Sequence, residues 1–197
     1  MMIAAKKLDI TTRVTDHVMN MMTESWNAEL PYHNLRHTVQ VVNASREIGI
    51  ALRLIPSEME IVELAAWFHD TGYLTKPEQH EEASVGIACA YLHGLQYPAR
   101  LIQKVASCIR ATKCPQQPSN LLEEILCDAD MYHLSASNFR EMTDRLRLEF
   151  KLAGKDHSDA DWLEVNRHFL NEHRYWTTYG RDVLASRKDE NFQTYLR

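Results

Sequence analysis

What most constrains this chain is its shortage of helix breakers. It has six glycines and six prolines in 197 residues, and they fall between apolar positions that recur at helical spacing. No stretch shows the period-two alternation of a half-buried strand, so the expected fold class is all-α. A first helix is expected from about Leu8 to Trp26, with Val14, Val18, Met21 and Met22 on one stripe. A second runs from about Asn34, its cap, to Leu52, with Leu35, Val39 and Val42 inward. Pro56 and Ser57 open a third, with Ser57 as N-cap, Glu60 closing a capping box, and Ile61, Leu64, Ala65 and Phe68 on its apolar face. Thr71 and Gly72 end it, with Gly72 expected in the left-handed conformation that lets neighbouring side chains turn toward one point. Later helices are expected over Glu81 to Gly94, Ala99 to Thr112, Leu121 to Leu134, Ser137 to Leu152, Asp159 to Thr177 and Arg181 to Tyr195.

The length suits one domain over residues 1–197, long enough to bury a sizeable core. Mean hydropathy is −0.41, and no apolar run approaches the length of a membrane span. The segment from Met1 to Leu8 lacks the sustained apolar core of a secretory signal, so a cytoplasmic location is expected. A net charge of −5 without any Lys/Arg block argues against nucleic-acid polymers and membranes as partners. Small anionic molecules stay compatible, because a metal and a few local cations can reverse the field inside a pocket. Cys89, Cys108, Cys114 and Cys127 form no CxxC pair and are expected as buried reduced thiols.

Chemistry-bearing residues stand at three places. His37 lies early in the second helix, the His69-Asp70 doublet ends the third, and Asp128 and Asp130 fall within an otherwise apolar helix. Adjacent residues in mid-helix point about 100° apart, so only a terminating helix lets His69 and Asp70 reach one ion. A buried carboxylate calls for a cation, and imidazole with carboxylate suits borderline or hard first-row ions.

These stretches, Tyr32-His33-Asn34-Leu35-Arg36-His37-Thr38, Ala65-Ala66-Trp67-Phe68-His69-Asp70-Thr71-Gly72 and Leu126-Cys127-Asp128-Ala129-Asp130, resemble the HD-domain metal-dependent phosphohydrolases over roughly residues 30–135. The resemblance implies a single HD-type helical bundle, with 136–197 as a helical extension of the same domain. It implies His37, His69, Asp70 and Asp130 as ligands of one divalent transition metal ion (Mn, Fe, Co, Ni or Zn, with Mg compatible), and Asp70 also as the residue orienting the attacking water. The register favours Asp130 over Asp128, leaving Asp128 behind the ligands or at the surface. Tyr-His-Asn-x-x-His also resembles the entry motif of cyclic-nucleotide phosphodiesterases, which makes His33 a candidate proton donor. His80 falls where two-metal relatives carry an extra ligand, so it is a candidate second-metal or phosphate contact. The later histidines of such relatives are missing near Cys108 to Lys113, which points to one metal. Arg36, Lys76 and Lys113, with Arg110 behind them, are candidate substrate cations.

The function so implied is hydrolysis of a phosphoester of a small phosphorylated metabolite, a nucleotide being the family's precedent. A metal-bound nucleotide sensor without turnover is the alternative, and a helical interaction protein with structural histidines is a third reading. The aromatic C-terminal third, with Trp162, Tyr175 and Trp176, is expected to cover the core or to make a homo-oligomer contact.

Overall fold

A computed structural model describes residues 9–25 and 29–195. Nine α-helices and no strands occur among these residues: α1 (Ile10–Glu24), α2 (Leu35–Ala51), α3 (Pro56–Phe68), α4 (His80–Gly94), α5 (Ala99–Ala111), α6 (Leu121–Asp130), α7 (Phe139–Leu152), α8 (Asp159–Glu172) and α9 (Ala185–Tyr195). The all-α expectation therefore holds. Leu8 and Trp26, the expected ends of the first helix, lie outside the described residues.

The arrangement places α3 centrally. It packs against α1, α2, α5 and α6, while α4 packs on α5 and on the short 3-10 turn Thr71–Leu74. Val14, Val18, Ile48, Phe68, Leu92, Ile109 and Ile125 fill the core between these helices and are fully buried. A smaller cluster of Leu134, Phe139 and Leu170 joins α7 and α8 to the turn after α6.

Local chemistry decides where the helices begin. Asn34 caps α2 as expected, accepting from Arg36 N at 2.9 Å and His37 N at 3.4 Å. The start of α3 differs from the Ser57 cap expected: Ile55 is the N-cap, Pro56 is N1, and the Glu58 carboxylate accepts from Ile55 N at 3.3 Å. Proline has no N–H to leave unsatisfied, which draws the helix start one residue ahead of it. The helices α4, α7 and α9 end where expected and α5 within one residue, but α6 and α8 end short and α9 starts late. The α6 helix gives way after Asp130 to a 3-10 turn (Met131–Ser135), α8 stops at Glu172, and a π-turn (Gly180–Leu184) leads into α9. Cys108 and Cys127 are buried and all four thiols are free, but Cys114 is exposed, because its segment is a loop instead of a helix face.

Gly72 corrects a second expectation. It is not left-handed: among the described residues only Gly154, Arg53 and Gln96 have positive φ. The glycine is needed instead for close approach, since a Cβ there would overlap the His80 carbonyl and lie 2.9 Å from Ala83 Cβ. The Gly72 N–H also donates to Ser84 Oγ at 2.8 Å, drawing the start of α4 against the end of α3. Gly72→Ala is expected to lower stability by about 1–3 kcal/mol through this overpacking, measured by denaturant unfolding.

The chain after α8 is secured by Lys188, whose Nζ donates to the carbonyls of Leu170 at 3.0 Å and His173 at 2.9 Å. Burial, with the Lys188 charge beside it, pushes the His173 imidazole down to about 3, and neither ring nitrogen has a partner. An unfolded histidine binds its proton near 6.5, so the unfolded chain takes up more protons between these values, and stability falls as pH drops through 6.5. A loss of roughly 1–2 kcal/mol between pH 6.5 and pH 5 is expected at this site, and His173→Phe should flatten that slope in a pH series of unfolding curves.

Candidate metal centre

Four side chains from three helix ends converge beneath the surface. His37 sits in the first turn of α2, positioned by the Asn34 cap. His69 terminates α3, and its Nδ1 bonds the Ala66 carbonyl at 2.8 Å, which leaves Nε2 as the nitrogen facing the cluster. At Asp70 the backbone leaves the helical region, with φ −108° and ψ 5°, so the two adjacent side chains are no longer held about 100° apart. Asp130 closes the set from the last position of α6.

The donor atoms of His37, His69, Asp70 and Asp130 all lie within 4.8 Å of one another. His37 Nε2 is 3.2 Å from Asp130 Oδ1 and 3.3 Å from Asp70 Oδ2. His69 Nε2 is 3.2 Å from Asp70 Oδ2, 3.6 Å from Asp130 Oδ1 and 3.4 Å from His37 Nε2. Ligands about 2.0–2.1 Å from one ion stand about 3–3.4 Å apart, and four of these five separations fall in that range, with the His69 to Asp130 pair slightly wider. Asp70 Oδ2 is buried without a hydrogen-bond partner, although two ring nitrogens lie beside it. A cation at the centre of the four donors supplies that missing partner, so the residues fit a divalent ion.

The electrostatics agree. Burial opposes charge on all four groups, yet the carboxylates of Asp70 and Asp130 hold His69 well above its ordinary value and raise His37. Reciprocally, the imidazoles hold Asp70 and Asp130 below the usual carboxylate range against the effect of burial. Positive charge among these groups is what stabilises two ionised carboxylates in the interior.

Asp128, two residues before Asp130, faces the other way. It is neither beside the cluster nor at the surface. Its carboxylate accepts from Trp176 N at 2.7 Å, Thr177 N at 2.9 Å and Thr177 Oγ1 at 2.7 Å, anchoring the chain after α8. Burial raises its pKa despite those bonds.

A cavity of about 430 Å³ opens beside the cluster, with Asp70 and Asp130 in its wall. His33 and His80 line it too. The His33 ring is held by Glu149: Nδ1 pairs with Oε1, while Oε2 accepts from Tyr32 N at 2.9 Å and His33 N at 3.0 Å. Tyr73 is stacked between the two histidines, 3.9 Å from the His33 ring and 4.1 Å from that of His80. His80 Nε2 reaches 3.7 Å from Asp70 Oδ1 and 3.5 Å from Glu81 Oε1, beside the four-residue cluster but outside it. On the far side, the Tyr32 hydroxyl bonds His133 Nδ1 at 3.0 Å, and burial pushes that imidazole down to about 4.

The candidate substrate cations are not brought to this cavity. Arg36 is exposed and bridges to Glu141 at 2.6 Å, Lys76 pairs with Gln79, and Arg110 bridges to Glu82 at 2.8 Å. Lys113 is exposed and does not line the cavity. Each stands on a helix end or loop near the site in sequence, but its side chain follows a nearby carboxylate or amide, or water, outward. Residues that the sequence reading passed over take their places: Glu149, Tyr73 and Glu81. Glu149 had a signal, since it falls on the apolar stripe Phe139, Met142, Leu146 and Phe150 of α7, where an acid needs a partner.

The family model for the HD domain matches residues 34–135. A crystal structure described as a predicted HD superfamily hydrolase, from an uncultured Thermotogales bacterium, superposes with a TM-score of 0.60 at 17% identity. The match covers 96% of this chain and 94% of that one. No curated protein matches the chain significantly. Asp130→Asn is expected to cut bound metal at least tenfold, whereas Asp128→Asn keeps it and lowers stability by about 1–3 kcal/mol. Metal quantification and unfolding curves on the two variants check this pair of outcomes.

Proposed function

The chain belongs to the HD-domain family, and from that premise we propose that it is a metal-dependent phosphohydrolase acting on a small phosphorylated metabolite, with nucleotides the first candidates to test. The neighbouring crystal structure, titled a predicted hydrolase, supports the hydrolytic part of this reading. The observation that carries the proposal is the pairing of two devices at one cavity: the His37, His69, Asp70 and Asp130 cluster, whose two aspartates reach its wall, and a histidine held by a buried carboxylate. A site that only held a metal or sensed a ligand would have no use for the second device.

A divalent ion held by the four residues supplies Lewis-acid polarisation of a phosphoryl oxygen and a water made acidic enough to attack at neutral pH. The protein's own groups perform the rest. Asp70, with Oδ1 turned toward His80, is the acceptor that orients the attacking water. Glu149 fixes the His33 ring through Nδ1, so Nε2 is the atom that delivers a proton to the leaving oxygen. Tyr73 keeps that ring from rotating by stacking on its face. His80 lines the same cavity, its Nδ1 held by the Pro77 carbonyl at 3.1 Å and its Nε2 beside Asp70.

Metal-loaded protein assayed on phosphomonoesters and phosphodiesters is expected to hydrolyse at least one class. His33→Ala should lower kcat by about 10²–10⁴-fold with metal content unchanged, and Glu149→Gln, which loosens the hold on the ring, should produce a smaller loss, again with metal content unchanged. Unchanged kcat in His33→Ala removes the proton donor from the proposal. Absence of turnover on every phosphoester removes the hydrolase reading itself.

A further inference from the structure

The cavity beside the cluster has two chemically different ends. Its inner end carries Asp70, Glu81 and Asp130 with His33, His80 and His133. Its outer wall is formed by Leu146 and Phe150 of α7 and Trp162, Val165, Asn166 and Phe169 of α8, with the Asn166 amide N–H donated to the Trp162 carbonyl at 2.8 Å. Phe150 meets Trp162 edge to face at 5.8 Å, and because Trp162 is itself buried it backs the wall while Phe150 and Phe169 keep surface for a flat guest. Val165 and Phe169 remain 44% and 39% exposed, which is costly for apolar side chains unless something covers them. A volume of about 430 Å³ is in the range that encloses a small organic ligand.

No lysine or arginine lines this cavity among the described residues. Most arginines of the adjoining helices are engaged outside it, Arg36 and Arg145 with Glu141, Arg110 with Glu82, Arg147 with Asp159 and Arg167 with Glu164, and Arg140 does not line it. Three carboxylates at the inner end outweigh the charge of one divalent ion. A single phosphoryl group can be met there by the ion and by the Nε2–H of His33, whose Nδ1 is paired with Glu149. Each additional phosphoryl group brings at least one further negative charge. It would have to lie against the apolar wall with no cation to receive it.

We infer that the substrate is an ester of a single phosphoryl group with a flat, aromatic-sized apolar group, seated against Phe150 and Phe169, and that polyphosphates are rejected. This rests on the phosphohydrolase reading and narrows it to one substrate class. The rejection is built by omission of cations, while selection comes from apolar contact.

The test uses the full chain loaded with Mn²⁺. Binding by titration calorimetry and turnover are measured for phenyl phosphate against methyl phosphate, and for adenosine monophosphate against the triphosphate. Phenyl phosphate should bind about tenfold or more tightly than methyl phosphate, and the monophosphate about tenfold or more tightly than the triphosphate. Phe169→Ala, a partly exposed position that the fold tolerates, should collapse the phenyl-to-methyl ratio toward one. Val165→Lys, which puts an ammonium at the wall, should shift the second ratio toward the triphosphate. Equal binding of phenyl and methyl phosphate, or preference for the triphosphate, overturns the inference even when hydrolysis is observed. The binding order without any turnover supports this ligand class and overturns the hydrolase reading alone.

Discussion

Two carboxylates, Asp70 and Asp130, are held beneath the surface beside the same two imidazoles, and the interior tolerates that much negative charge only with a cation among them. Much of the chain's architecture serves this one demand. The α3 helix must stop between His69 and Asp70, α2 must begin just before His37, and α6 must end at Asp130. Glycine at position 72 then lets α4 close over the turn that carries Asp70. Each of these is a local event at a helix terminus, where backbone groups and side chains are free to turn toward a common point.

What was legible in the sequence follows the range of the interactions concerned. Helix periodicity and the Asn34 cap depend on residues three or four apart, and they place α2, α3 and α5 to within a residue or two. The four members of the cluster were legible as a set because their types suit a metal and their order matches a known pattern. The start of α3 was misplaced because Pro56 was given less weight than Ser57. The role of Gly72 was misread as conformational freedom because the reason for it, the His80 carbonyl, lies eight residues away across a tertiary contact.

The cavity was the least legible part, since its walls come from segments more than a hundred residues apart. Glu149 reaches His33 across 116 positions, and no spacing rule connects them. Basic residues close to the motifs in sequence looked like phosphate contacts, yet Arg36 and Arg110 turn to exposed glutamates. The C-terminal third covers the core through Tyr175 and Leu184, as expected, and also contributes Trp162 and Phe169 to a cavity wall, while Asp128 binds the segment after α8 down. The matched family region ends at residue 135, so the metal cluster lies inside it and the distinguishing wall outside it.

The stack of His33, Tyr73 and His80 joins three separate stretches of chain through ring faces about 4 Å apart. Flat faces in contact resist tilting much more than in-plane sliding, so the assembly works like a thrust bearing. The orientational entropy of both imidazoles is surrendered once, during folding, and is not charged again to each bound molecule. Tyr73 thereby shapes the site through the faces of its ring.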